Sequence, residues 1–270
     1  LIRNAAWAVL WDAGAKRHVY AHDMDIVLKD GRVASIARHH RDAEPPEGVE
    51  VIDGRHMMVM PGLINIHTHP TTEPGARGVR EDHGVPEQQM SGLFERMQSM
   101  RLDQQGQEAA MRLSYSELLS AGVTSVVDLS PPFPSWLDVM AESGLRVWAG
   151  PGFAEASWGM EAPQTVTWLW NRENGRKQFD AAKAVMKQAE AHACGRLTGI
   201  VFPAQIDTVG EELFREAIAY AQESGRGFTT HIAQAVVEVR EMIRRHGITP
   251  IQWAHSLGML TPRAILGHAI

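Results

Sequence analysis

The sequence has little cysteine, no long apolar run and no surplus of positive charge. A single cysteine, Cys194, in 270 residues excludes an internal disulfide framework and indicates a reducing compartment, so we expect a cytoplasmic protein. The 26 lysines and arginines are outnumbered by 32 acids, and the net charge of −6 argues against nucleic acid or an anionic membrane as the main partner. No apolar run reaches the roughly 18 residues of a membrane span. A hydrophobic fraction of 44% and 13 histidines are what the sequence does contain, and they indicate a globular protein rich in imidazole.

Two sequence patterns divide the chain near residue 60. Residues 1–60 carry short apolar runs separated by turns, among them Asp30-Gly31, a pair that commonly closes β-hairpins. A second pair, Asp53-Gly54, predicts a further turn before Met57. We therefore predict that residues 1–60 form the N-terminal part of a small β-sandwich domain.

Residues 61–270 alternate strand-like apolar runs with helical patterns. This alternation predicts a parallel sheet with helical crossovers. Six units in sequence, with no glycine-rich phosphate loop, favour an α/β fold of the (β/α)8 TIM-barrel type over a dinucleotide-binding fold. A complete barrel has eight strands, so we expect this chain to belong to a polypeptide longer by about 150–200 residues. The tryptophan-rich stretch before the helix predicted to start near Phe179 is assigned to a loop.

Four histidines fall at the ends of predicted barrel strands. His67 and His69 are two residues apart at the end of the first strand, and residues two apart on a strand face the same way. His231 ends the fifth strand and His268 the sixth. Barrel active sites lie at the carboxyl ends of the strands, and converging imidazoles suit a borderline cation such as Zn²⁺. The pattern therefore predicts a metal site at this end of the barrel.

With these motifs in place the sequence resembles the amidohydrolase superfamily, and in particular its branch of cytosine, guanine and adenosine-type deaminases and triazine hydrolases. The segments that carry the resemblance are Met60-Pro61-Gly62, His67-Thr68-His69, Gly122-Val123-Thr124 with Asp128, Thr230-His231-Ile232-Ala233 and Leu266-Gly267-His268. The likeness extends over nearly the whole chain. It implies a barrel that hydrolyses small molecules and, by analogy alone, a homo-oligomer.

The resemblance also implies roles for single residues. His67, His69 and His231 would hold one divalent metal ion, zinc or else iron, and His268 would orient the attacking water or the substrate. An aspartate at the end of strand eight, outside these 270 residues, would complete the metal site. Members with two metals bridge them through a strand-four lysine, and the absence of lysine from residues 197–204 favours a single ion.

Gln234 departs from the pattern of many deaminases in this branch, which carry a proton-shuttling glutamate three residues beyond the strand-five histidine. A glutamine amide can hold a substrate by hydrogen bonds but cannot shuttle protons. We therefore expect Gln234 to bind substrate. The alternatives are that another acid, Glu238 or one in the long loops, shuttles the proton or that the substrate needs no such protonation. Of these acids, Glu238 is expected to be a solvated residue of a helix.

Three functions are compatible with this reading. The first is hydrolysis of a C–N bond of a cyclic or aromatic small molecule by a metal-activated hydroxide. The second, motivated by Gln234, is hydrolysis of an amide, a urea or a C–halogen bond by the same type of site. The third is a catalytically inactive metal-binding relative with an interaction role, which becomes the leading hypothesis if the intact polypeptide ends at Ile270.

Two further groups of side chains are open to more than one interpretation. His83, with Glu81 and Asp82, belongs to the long segment after the first barrel strand and is either a surface residue or a substrate contact. Three tryptophans follow the third strand, and they are compatible with an aromatic wall for a planar ligand, with a lid or with a subunit interface; they are Trp158, Trp168 and Trp170.

Overall fold

A computed structural model describes residues 1–77, 101–162 and 165–270. The chain divides into two compact units, Leu1–Gly62 and Leu63–Ile270. His83, Glu81 and Asp82 lie outside the described residues.

The first unit is built on one five-stranded sheet. Its strands are β1 Ile2–Asp12, β2 Arg17–Lys29, β3 Arg32–Arg38, β4 Ile52–Asp53 and β5 Met58–Val59. The hairpin at Asp30-Gly31 joins β2 to antiparallel β3, and its two residues have positive φ angles of 51° and 71°. Near Asp53, the turn begins at Gly54, whose carbonyl accepts the N–H of Met57, and both β4 and β5 run parallel to β1. The unit supplies one sheet, so the β-sandwich stays a prediction.

The second unit is the parallel sheet of a TIM-barrel-like fold, as the alternating pattern predicted. Its strands are β6 Leu63–Thr68, β7 Val123–Asp128, β8 Arg146–Ala149, β9 Gly152–Phe153, β12 Leu197–Pro203, β13 Gly227–Ile232 and β14 Ala264–His268. They lie in the order β14-β13-β12-β8-β7-β6, with β9 beside β12, and every pair is parallel. Since β8 and β9 pair in succession with β12, they act as one interrupted strand, and six barrel positions are filled in the described part of the chain.

Helices connect the parallel strands and cover the sheet. They are α1 Glu73–Ala76, α2 Gln104–Ser120, α3 Trp136–Glu142, α4 Arg172–Ala191, α5 Glu211–Ser224, α6 Val236–His246 and α7 Pro250–Ser256. Helix α4 begins well before Phe179 because the Asn171 side chain accepts the backbone N–H of Asn174 and caps it. No helix within the described ranges is both long enough and apolar enough to cross a membrane.

The tryptophan-rich stretch is a β-hairpin, and its assignment to a loop was wrong. Strands β10, Ala156–Ala162, and β11, Thr165–Trp170, pair antiparallel with Trp158 opposite Trp168. Strand β11 is rich in threonine, valine and tryptophan, which favour extended backbone over a loop.

The core lies on both faces of the parallel sheet. Inside the barrel, Val127, Leu129, Ile200 and Phe202 form one buried cluster. Outside it, side chains from the strands pack against the helices, with Trp136, Phe179 and Phe214 almost completely buried; this packing fixes the strand ends that carry the histidines.

Candidate metal centre

The strand ends bring four histidines to one edge of the sheet. His67 lies in β6 and His69 follows it, and both are half-buried. His231 lies in β13 and is 5% exposed, whereas His268 ends β14 and is exposed. Because β6, β13 and β14 point the same way around the barrel, their carboxyl ends meet although the residues are far apart in sequence.

The distances in this cluster suit a shared ligand. One ring nitrogen from each of His67, His69 and His231 lies within 4.8 Å of the others. The Nε2 atoms of His69 and His231 are 3.0 Å apart. The ring of His268 is centred 5.1 Å from that of His67 and 5.4 Å from that of His231, at the rim of the same cluster.

Hydrogen bonds from the surrounding backbone set the state of these rings. Nδ1 of His231 lies 2.5 Å from the carbonyl oxygen of Ala204 and must donate to it, so Nε2 of His231 carries a lone pair. That lone pair faces Nε2 of His69. Two ring nitrogens this close need a proton or a cation between them. The donor set therefore fits a divalent metal ion.

Burial keeps the three rings uncharged. Burial is the largest cause and neighbouring histidines add to it, so that the pKa is about 4 for His67 and for His69 and about 3 for His231. Nδ1 of His67 is buried without a hydrogen-bond partner among the described residues. Neutral imidazoles at neutral pH are the form in which histidine binds metals.

The match to known proteins agrees with this geometry, since residues 58–270 match the amidohydrolase family. The chain belongs to that family. The amidohydrolase family is metal-dependent, and His67, His69 and His231 are a group able to hold a metal ion.

Individual relatives add detail to the family match. The chain is 28% identical over 227 residues to a 5-methylthioadenosine/S-adenosylhomocysteine deaminase of Halobacterium salinarum, covering 84% of this chain and 49% of that protein. It resembles the solved zinc complex of an atrazine chlorohydrolase from Arthrobacter aurescens, with a TM-score of 0.78 and 20% identity over all of this chain and 60% of the other. A guanine deaminase from C. acetobutylicum, solved with guanine in its active site, gives a TM-score of 0.72 at 13% identity over 98% of this chain and 61% of the other. The chain spans about half the length of the curated relatives it matches.

In this amidohydrolase Gln234 lies in the turn that follows His231, and Glu238 lies in the first turn of α6. Its predicted place on a helix is confirmed, but Glu238 is 2% exposed, so the expectation that it is solvated was wrong. Its two carboxylate oxygens accept the backbone N–H groups of Ala233, at 2.6 Å, and of Gln234, at 2.9 Å. Gln234 is itself buried, and Ala233 has a positive φ of 52°. Glu238 therefore holds a strained turn in place, and its oxygens are committed to backbone donors.

Asp128 fastens the end of β7 to helix α2. It is completely buried, and it accepts hydrogen bonds from the Tyr115 hydroxyl, at 2.5 Å, and from the backbone of Ser130, at 2.7 Å. Burial raises the pKa of Asp128 more than these hydrogen bonds lower it, and the pKa is about 6. Its carbonyl accepts the N–H of Gly150, so Asp128 ties β7 to the third barrel strand beside the histidine cluster.

Asp207, in the segment after β12, is a buried acid that the sequence analysis did not single out. One of its oxygens accepts the indole N–H groups of Trp158, at 3.0 Å, and Trp168, at 2.8 Å. Arg245 donates to the carbonyl of Asp207 and lies 5.3 Å from the Trp168 ring. These contacts attach the β10–β11 hairpin to the segment that also carries Ala204, the partner of His231. The signal available in the sequence was an acid four residues after the end of an apolar strand.

Asp207→Ala is expected to loosen the hairpin. Hydrogen bonds to a charged acceptor are worth about 1.5–3 kcal/mol each, and removing the buried carboxylate offsets part of the loss. We expect the free energy of unfolding to fall by about 2–4 kcal/mol and tryptophan emission to shift to the red. Chemical denaturation and fluorescence measure the two effects. Asp180→Ala, at an exposed aspartate on α4, is the matched control, and an unchanged emission spectrum in Asp207→Ala would refute the anchoring role.

Proposed function

We propose that this chain forms much of the catalytic barrel of a metal-dependent hydrolase that cleaves a C–N bond in a cyclic or aromatic small molecule. The observation that carries the proposal is the convergence of three neutral imidazoles, with the Nε2 atoms of His69 and His231 3.0 Å apart. His67, His69 and His231 would hold one ion. Zinc is favoured because the donors are nitrogen atoms and because the atrazine chlorohydrolase of similar fold was solved with zinc.

A divalent ion at this position would supply activated water for attack at neutral pH. Hydrolysis forms a C–O bond and breaks the C–N bond, and the leaving nitrogen departs with a proton that originates from water. His268, exposed at the rim about 5 Å from the His67 ring, is placed to orient the water or the substrate. Gln234 can donate and accept hydrogen bonds toward a substrate but cannot carry the proton.

Gln234 also favours a second candidate, hydrolysis of an amide, a urea or a C–halogen bond. Of these reactions, C–halogen cleavage follows most directly from Gln234, because loss of chloride needs no proton delivered to the leaving group, whereas loss of ammonia or an amine does. One solved structure of similar fold is named as a chlorohydrolase and another as a guanine deaminase, so both leaving groups occur on this fold.

A substrate panel tests the two candidates. The full chain, loaded with zinc or with iron, would be offered purine nucleosides, guanine, chlorotriazines and aryl amides, with ammonia and chloride release recorded. We expect turnover of at least one class, lost on chelation and restored by added metal. A full chain that binds neither metal in stoichiometric amount would contradict the proposal.

Gln234→Glu separates a deaminase from a dehalogenase. If the native reaction needs no proton shuttle, this variant is expected to lose activity on the native substrate, because a carboxylate replaces a neutral hydrogen-bonding amide. Steady-state kinetics on the substrate found in the panel measure this, with the exposed Gln222→Glu as matched control. A large gain in ammonia release with no loss of another activity would instead favour ordinary deamination.

A further inference from the structure

We propose that Gly267 is a positioning residue of the metal centre, because the absence of a side chain there is what allows the His67 ring to take its place in the cluster. The inference deepens the proposed function and rests on it where metal affinity is concerned. Gly267 is buried in β14, directly before His268, and pairs in register with His231.

The space beside Gly267 is already filled by the His67 ring. A Cβ built at Gly267 would lie 2.9 Å from Cε1 and 3.1 Å from Nδ1 of His67, and 3.1 Å from the carbonyl oxygen of Thr230. The first distance is about 0.5 Å short of ordinary van der Waals contact. A methyl group would therefore push against the ring on one side and the backbone on the other.

Backbone conformation does not account for glycine at this position. Gly267 is not among the glycines with positive φ, so an alanine there meets no backbone penalty of that kind. What distinguishes the position is the neighbouring imidazole, and glycine in a strand often marks such a close approach.

Neither the backbone of Gly267 nor the ring of His67 can move easily to relieve this contact. Gly267 is held by the β13–β14 ladder, and His67 is packed edge-to-face against His69 and His231, with ring centres 5.1 Å and 4.8 Å away. Metal–ligand distances tolerate about 0.2 Å, which is less than the displacement a methyl group requires. Nδ1 of His67, buried and without a partner among the described residues, would be covered by the same methyl group.

Gly199 provides a matched control in the same barrel. It is buried in β12, and a Cβ there would lie 2.6 Å from Cβ of Met186 on α4, so alanine at Gly199 is at least as crowded. Its neighbours are the helix side chains Met186 and Glu190 rather than a histidine of the cluster. The two glycines therefore separate crowding in general from crowding of His67.

The first test measures metal binding in the full chain. We expect Gly267→Ala to bind Zn²⁺ about 10–100-fold more weakly, the loss typical when support for a metal ligand is removed, and to alter the visible absorption of bound Co²⁺. Gly199→Ala is expected to lose thermal stability but to keep the zinc affinity and cobalt spectrum of the parent. Wild-type affinity and spectrum in Gly267→Ala, or equal losses in both variants, would overturn the inference.

The second test needs no metal and decides the matter even if Gly267→Ala folds poorly or the parent chain binds no zinc. In the metal-free protein, the drop in melting temperature caused by Gly267→Ala is expected to be clearly smaller when His67 is also replaced by alanine, with the contact to the Thr230 carbonyl accounting for the remainder. An equal drop in both backgrounds would mean that His67 is not what position 267 accommodates. Failure of the parent to bind zinc would count against the proposed function, whereas this cycle tests the contact itself.

Discussion

Replacing His231 with alanine is expected to weaken zinc binding by about two to three orders of magnitude, because the binding free energy of a four-ligand zinc site, about 10–16 kcal/mol, is shared among its ligands. The substitution removes the Nε2 that faces His69 and the Nδ1–H that donates to Ala204. Hydrolytic activity on the substrate found in the panel should be lost with the metal. Competition against a chromophoric chelator measures the affinity.

His255→Ala is the matched control, because His255 is exposed on α7, a helix that carries none of the four clustered histidines. It should leave zinc stoichiometry and affinity unchanged. Zinc bound by His231→Ala as tightly as by the parent would show that the ion is held elsewhere, and would remove the main support for the proposed hydrolase.

Glu238→Gln is expected to change how stability depends on pH. Burial, reinforced by the nearby charge of Asp207, raises the pKa of Glu238 to about 8 in the folded protein, while its hydrogen bonds to the backbone of Gln234 and Ala233 lower it. Between its ordinary value of 4.5 and about 8, the folded state keeps a proton that the unfolded state has released. This group therefore lowers the free energy of unfolding as pH rises through that window, by a total on the order of 5 kcal/mol.

Removing the titrating group should flatten this decline. Unfolding of metal-free Glu238→Gln by denaturant, followed from about pH 5 to pH 9, should lose less stability than the parent over the same range. The exposed Glu223→Gln, on α5, should follow the parent. Parallel curves for the parent and Glu238→Gln would mean that Glu238 does not titrate in this window.

Much of the barrel and the position of its histidines was predictable from the sequence. Strands are read from apolar runs, and helices from apolar residues three and four apart, as in α5, where Leu213, Phe214, Ala217 and Ala221 are all buried. The tryptophan hairpin was missed because two strands rich in aromatic side chains near a helix start look like an irregular segment when their pairing is not known. The start predicted for α4, near Phe179, was too late because the helix is capped by Asn171 in a region with no apolar periodicity.

Several expectations remain predictions. They are the single zinc ion and its ligands, the roles of Gln234 and His268, an aspartate ligand from an eighth strand, the division at residue 60, a homo-oligomer and a cytoplasmic location. The zinc and substrate experiments address the first of these directly.

The sequence by itself determined that His67 and His69 share a direction and that His231 and His268 reach the same edge, because side chains alternate along a strand and parallel strands end together. Only the tertiary structure decided the rest. The opposed nitrogens of His69 and His231 belong to residues 162 positions apart, and the proton on His231 depends on a carbonyl 27 positions away. The space that Gly267 leaves for His67 likewise depends on how two distant strands pack, and short-range sequence patterns carry no information about such distances.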